Sequence, residues 1–174
     1  RLHIRRITLT QCTHWSCSLY GAALEDISVD NLKRKGRSPL FLWDCAFRRV
    51  TLRGPISFLK INDQIDIERG STRNQAFRKA NQRFYENTDW ALDIREAQFG
   101  GLVDFPGIPP DLIRRDPASQ FIMLRSVALR FLEPSYRFDV WSLIASAAVS
   151  GIDAGILVAL GTRAKTFQQD LQRA

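Results

Sequence analysis

A chain of 174 residues, 45% apolar and 25% charged, is long enough for one well-buried core and short for two ordinary domains, so residues 1–174 are expected to form a single domain. That composition excludes wholesale disorder and a polytopic membrane protein. The formal charge of +7 favours acidic partners such as nucleic acid or anionic lipid, and three cysteines favour a reducing compartment, the cytoplasm, over a disulfide framework.

The chain opens on alternating basic and apolar residues around His3, the pattern of an ordinary strand. Small or apolar residues then recur at intervals of five, at Cys12, Cys17, Ala22, Ile27 and Leu32. A second register lies two residues further on, at His14, Leu19, Leu24 and Val29. Neither a helix nor a strand has a period of five. A four-sided winding does, if each five-residue unit forms one short side and both registers turn inward. Stacked turns then bury a core that no single turn could bury. After a basic interruption from Lys33 to Ser38 the pattern resumes as Cys45-x-Phe47 and Val50-x-Leu52, and more faintly as Leu92, Ala97, Leu102, Gly107 and Leu112.

This pattern resembles the pentapeptide-repeat family of right-handed β-helices, whose units carry a small residue, often Ala or Cys, two positions before a central Leu or Phe. The resemblance covers residues 10–60 and, more weakly, 90–113; Pro55, Asp104 and His14 depart from it where inward apolar residues are expected. It implies a mixed β/α fold, namely a short, irregular right-handed β-helix, β-rich over 1–70 and 88–113, with an inserted helix and C-terminal helices. It also implies a non-catalytic scaffold that meets a protein partner along a rigid face. Some relatives imitate DNA with an acidic surface, which does not carry over to a basic chain. The alternative is a conventional α+β sheet. There Leu59 and Ile61, and then Ile65 and Ile67, alternate with polar residues as two strands of a hairpin that turns at Asn62, Asp63 and Gln64.

Helices are expected at three places. Over 73–85, after a loop at Gly70 and Ser71, Phe77, Ala80 and Phe84 share one face while Arg73, Lys79 and Arg83 fall largely off it. Over 117–133, Asp116 is a favoured N-cap and Pro117 a favoured first residue, and Phe121, Leu124, Ala128 and Phe131 form the apolar stripe. Between these two, Pro106-Gly107 and Pro109-Pro110 mark a rigid loop. The segment 139–173 is expected to be helical, as two buried helices broken near Gly151 and Ile152 or as one packed helix, with an apolar run over 140–160 that would just span a bilayer and offers a membrane-associated alternative. Ala147, Gly151, Gly155 and Ala159, spaced by four, would let a second helix approach and so make an oligomer. Asp153 opposes a membrane span, at about 3 kcal/mol near a helix centre.

Chemistry is sparse. Cys12, His14, Cys17 and Cys45 are the one candidate zinc set, yet they lack paired Cys-x-x-Cys spacing, and all three cysteines already fit the small-residue register; no cofactor is expected. A Cys17–His14 nucleophile and base is disfavoured, because two residues three apart on a turn seldom present both groups. Carboxylates at Asp89 with Asp93, Asp104 with Asp111, and Glu25 with Asp26 read as surface charge or caps. Gly100-Gly101 lacks the remainder of a phosphate loop. An anion-binding module for nucleic acid or an anionic membrane surface is the alternative function. It would use Lys33, Arg34, Lys35 and Arg37 in the loop, and Arg73, Arg78, Lys79 and Arg83 beside Phe77, Phe84 and Tyr85 on the helix.

Overall fold

The computed structural model describes residues 1–66, 68, 70–101, 103–131, 145, 147–148 and 155–159. Its architecture is mixed sheet and helix. Seven strands come first: β1 (His3–Thr10), β2 (Thr13–His14), β3 (Ser18–Tyr20), β4 (Ala23–Arg34), β5 (Leu40–Trp43), β6 (Ala46–Ile56) and β7 (Leu59–Asn62). Every pairing among them is parallel. Strands β1, β4 and β6 are neighbours in one sheet and β3, β5 and β7 in a second, narrower one, so the chain returns to the two sheets in alternation. His3 pairs with Ala23, and Ala23 with Ala46.

Parallel neighbours ordinarily need long crossovers. Here backbone bends replace them. Arg6, Gln11, Ser16, Gly21, Asp26, Asn31 and Gly36 all have positive φ, as do Asp44, Arg49 and Gly54. Each bend from Ser16 to Asn31, and again at Arg49 and Gly54, comes two residues after a member of the second register, such as Leu24 before Asp26 or Phe47 before Arg49. The period of five therefore coincides with the spacing of bends, and both registers face the core. Ala22, Leu24, Ile27, Val29, Leu32, Cys45, Phe47, Val50 and Leu52 are buried. Cys17 is the exception: it is exposed, and Cys12 is half-buried.

The rest of the chain supplies α1 (Thr72–Glu86), β8 (Leu92–Asp93), β9 (Ala97–Phe99), β10 (Val103–Phe105), β11 (Ile113–Arg114), β12 (Gln120–Met123), α2 (Arg125–Ala128) and β13 (Ile156–Ala159). Strands β8, β9 and β11 extend the first sheet in parallel. Strands β10, β13 and β12 form a separate antiparallel sheet with β13 in the centre. One apolar cluster runs from Ala22 through Phe47, Leu92 and Phe105 to Ala159.

Several expectations need correction. The hairpin at Asn62–Gln64 is not formed: β7 pairs in parallel with β5, and residues 63–66 are not a strand. Asn74 ties that loop down instead, accepting from the backbone N–H groups of Ile65 and Asp66 and donating to the carbonyls of Asp66 and Glu68. The helix expected over 73–85 runs over Thr72–Glu86, capped by Ser71. Its buried residues, however, are Asn74, Asn81 and Tyr85, while Ala80 is exposed. The helix expected over 117–133 is largely replaced. Asp116 caps a turn, accepting from Ala118 and Ser119, and Gln120–Met123 then leaves as a strand. Helix resumes only at Arg125, because pairing to β13 takes the intervening residues.

Of the segment 139–173, only residues 145, 147–148 and 155–159 lie inside the described set. Ala145, Ala147 and Ala148 are helical, but Ile156–Ala159 is a buried strand, so no single helix covers 140–160. No helix among the described residues is long and apolar enough to cross a membrane. Gly155 and Ala159 belong to the strand side of that break, so the four small residues do not make one helix face.

Candidate functional site

The two ends of the narrow β3–β5–β7 sheet carry opposite chemistry. At the C-terminal end each strand runs into a corner residue, Gly21, Asp44 or Asp63. Gly21 holds φ +57, and a Cβ there would lie 2.8 Å from Cζ of Phe77, so glycine lets α1 rest on this corner. The next turn of α1 places Asn81 over Asp44, and its amide donates to Asp44 Oδ1. The Arg1 guanidinium donates in turn to Asn81 Oδ1.

Between this corner, α1 and the 107–112 loop lies a cleft of about 540 Å³. Among the described residues four carboxylates line it, from Asp44, Asp63, Glu86 and Asp111, against one lining cation, Arg78. Asp44 is 3% exposed, and its Oδ2 has no hydrogen-bond partner among the described residues. Burial pushes its carboxyl up to about 6; Arg1 and Arg78 and the bond from Asn81 work against this, and Asp63 adds to it. Burial likewise holds the Tyr85 hydroxyl above its ordinary range while it accepts from the Phe47 N–H at 3.3 Å. Gly107, at φ +78, forms the lip; a Cβ there would come within 2.9 Å of Asp63 Cβ.

The outer surface of the same sheet is aromatic. Strand alternation turns Leu19, Leu42 and Ile61 inward and Tyr20, Trp43 and Asn62, in register, to the other face, beside the row Ser18, Phe41 and Lys60; Tyr20 is exposed, while Phe41, Trp43 and Asn62 are half-buried. Tyr20 and Trp43 are stacked at 5.9 Å between centroids and 3° between planes, and Phe41 stacks on Trp43 at 5.6 Å. At the N-terminal end of the strands, Trp15 is 66% exposed and Phe58 52%. Lys35 Nζ sits 5.2 Å from the Trp15 ring centre, and the Arg34 guanidinium 4.3 Å from that of Phe58. Arg34 also donates to the Arg37 carbonyl at 2.8 Å, which draws the loop together.

The basic residues expected to act together are thus divided between the two ends. Lys33, Arg34, Lys35 and Arg37 belong to the aromatic end. On α1, Arg73 pairs with Asp66 at 3.5 Å and Arg78 enters the acidic cleft, while Lys79 and Arg83 are exposed. The aromatics of that helix are not stacking groups for a ligand: Phe77 packs on Gly21, Phe84 lies under Arg48 at 4.4 Å and Tyr85 is buried. The set Cys12, His14, Cys17 and Cys45 is not assembled. No three His, Cys, Asp or Glu side chains among the described residues converge on a common ion position. His14 is buried, with Nε2 3.3 Å from the Ser57 carbonyl, and burial raises the Cys45 thiol to about 11. Glu25 is buried under His3, Arg5 and Arg48, Asp89 pairs with Arg49, Asp93 with Arg95, and Asp104 with Lys60. Asp111 alone of the paired-carboxylate candidates reaches the cleft. The signal that would have found the site is positional: Gly21, Asp44 and Asp63 follow the ends of three strands that occupy successive returns of the chain.

The chain matches no protein-family model, no curated protein and no solved structure.

Proposed function

We propose that the protein is a non-catalytic interaction module that binds single-stranded nucleic acid on the aromatic face of its narrow sheet. The observation that carries the reading is the Tyr20–Trp43–Phe41 stack together with the exposed Trp15 and Phe58 at the N-terminal end of the same strands, which carry Lys35 and Arg34 over their rings. Bases stack on such rings whatever their identity, at about 1–3 kcal/mol each, while flanking cations neutralise phosphates and make affinity fall with salt. The scaffold beneath is read as a short right-handed β-helix of the pentapeptide type. That reading is supported by the parallel returns and the five-residue bends, and by the strong right-handed preference of parallel crossovers.

Fluorescence anisotropy with a labelled oligothymidylate tests this. Binding is expected to weaken with salt, and by about thirtyfold or more in the double variant Trp15→Ala, Phe58→Ala, whose side chains are exposed enough to spare the core. Retention on anionic vesicles without affinity for the oligonucleotide would reassign the face to a membrane surface. Equal affinity of the variant and the parent would remove stacking from the mechanism.

A further inference from the structure

A +7 chain has gathered four carboxylates around one cleft, at the end of the sheet away from its exposed aromatic–basic corner. Charge alone would not make this a binding site. The second observation is Asp44: its Oδ1 is held by Asn81, which fixes the carboxylate, and its Oδ2 is buried without a donor among the described residues. A buried carboxylate oxygen left unsatisfied is costly to a fold and calls for a donor from outside the chain. The missing partner must bring N–H donors and positive charge. A metal ion fits poorly, since no three ligating side chains among the described residues converge. An ammonium or guanidinium group fits, because it carries several donors and needs no fixed coordination sphere.

We propose that the cleft binds an organic cation, a primary ammonium or guanidinium group, with Asp44 as its principal acceptor and Asp63 supplying a second charge from the next return of the chain. Arg78 and Arg1 oppose the ligand electrostatically, and Glu86 and Asp111 favour it from α1 and from the 107–112 loop. Tyr85 and Cys45, also beside Asp44, stay neutral through the working range because burial raises both. Asp44, held near 6, is then the group that titrates between pH 5 and 7.5 and switches the site off in acid.

Isothermal titration of the full chain with spermidine, and separately with an acetylated and amidated Gly-Arg-Gly peptide, tests this and distinguishes a free polyamine from a protein side chain. The expected result is binding of at least one probe at pH 7.5, about tenfold weaker at pH 5 and at least tenfold weaker in Asp44→Asn. Arg78→Gln is expected to tighten it severalfold. That variant keeps the test open if Asp44→Asn does not fold. Failure of both probes to bind at millimolar concentration, unchanged affinity in a folded Asp44→Asn, or weaker binding in Arg78→Gln would each overturn the proposal. Oligothymidylate affinity is expected to survive Asp44→Asn, so this test and that of the aromatic face fail separately.

Discussion

The parallel-strand region up to Phe58 and the region beyond it handle left-handed backbone in different ways. Between Arg6 and Phe58 eight residues other than glycine hold a positive φ; beyond Phe58, among the described residues, only Gly107 and Gly155 do. A left-handed non-glycine residue costs about 1 kcal/mol or more, so the first region must hold these bends by other means. The ladder does so. Gln11 donates to the Asp30 carbonyl, Gly21 to Trp43, Asp44 to Asn62, Arg49 to Trp90 and Gly54 to Glu96, each bend being bonded to the next return of the chain. At Gly107 and Gly155 the constraint is steric instead. A Cβ on Gly155 would lie 2.9 Å from Leu124 Cα, in backbone that cannot move aside without parting β12 from β13.

The contrast breaks most visibly at Gly155. Gly155→Ala, at φ +109, is expected to lower stability by about 4 kcal/mol or to prevent folding, as read by urea denaturation. Gly54→Ala, at φ +61, meets chiefly the Asn31 and Asp30 side chains and is expected to cost only about 1 kcal/mol. Similar losses at the two glycines would abolish the distinction.

The same contrast explains what could be read from the sequence. The five-residue register was legible because each unit carries its own period, so Ala22, Leu24, Ile27, Val29, Cys45 and Phe47 could be assigned to the core one unit at a time. Cys17 failed that assignment in the outermost turn, where less structure covers it. The extent of α1 was legible from Ser71 and the helix-forming run, whereas its buried face was not. Asn74 and Asn81 are polar, and their burial follows from the 65–68 loop and Asp44, which no helical periodicity reports. Over Gln120–Met123 local preference lost to pairing with Ile156–Ala159, a partner over thirty residues away. The acidic cleft was invisible for the same reason: Asp44 and Asp63 follow the ends of the paired strands β5 and β7, under a helix and a loop contributed from further along.

Two buried carboxylates sharpen the comparison further. Burial raises the Glu25 carboxyl, but hydrogen bonds from His3 and Arg5 and the charges of Arg5 and Arg48 outweigh it and hold it below its usual range. Its contribution is therefore present above the ordinary glutamate range and disappears as pH falls through the lowered value. Glu25→Gln is expected to cost about 2 kcal/mol at pH 7, and less in acid. Asp44 has the opposite sign. With its carboxyl raised to about 6 from an ordinary 3.8, the folded chain binds the extra proton between those values, so Asp44 lowers stability as pH rises through that window. Asp44→Asn is expected to stabilise by about 1.5 kcal/mol at pH 7.5, once the weaker bond from Asn81 is allowed for, with the gain fading below pH 6. Thermal denaturation of both variants across pH 4–8 checks the two signs together, and a loss of stability in Asp44→Asn at pH 7.5 would reverse the reading of the cleft as a site maintained at the expense of the fold.

The smallest effect is expected at Arg6, and it tests the ladder itself. Arg6 is exposed at φ 55 in β1, the terminal strand of its sheet, where it has a neighbouring return on one side only. Arg6→Gly removes the left-handed penalty of about 1 kcal/mol but gives back a similar amount as chain entropy in the unfolded state. If pairing with β4 already holds the bend, the two terms cancel and stability changes by less than about 0.5 kcal/mol. A gain well above that would mean that the first bend is strained and weakly held. The parallel-strand region would then be stiffened by its inner returns, those with neighbours on both sides, and not by each bend separately.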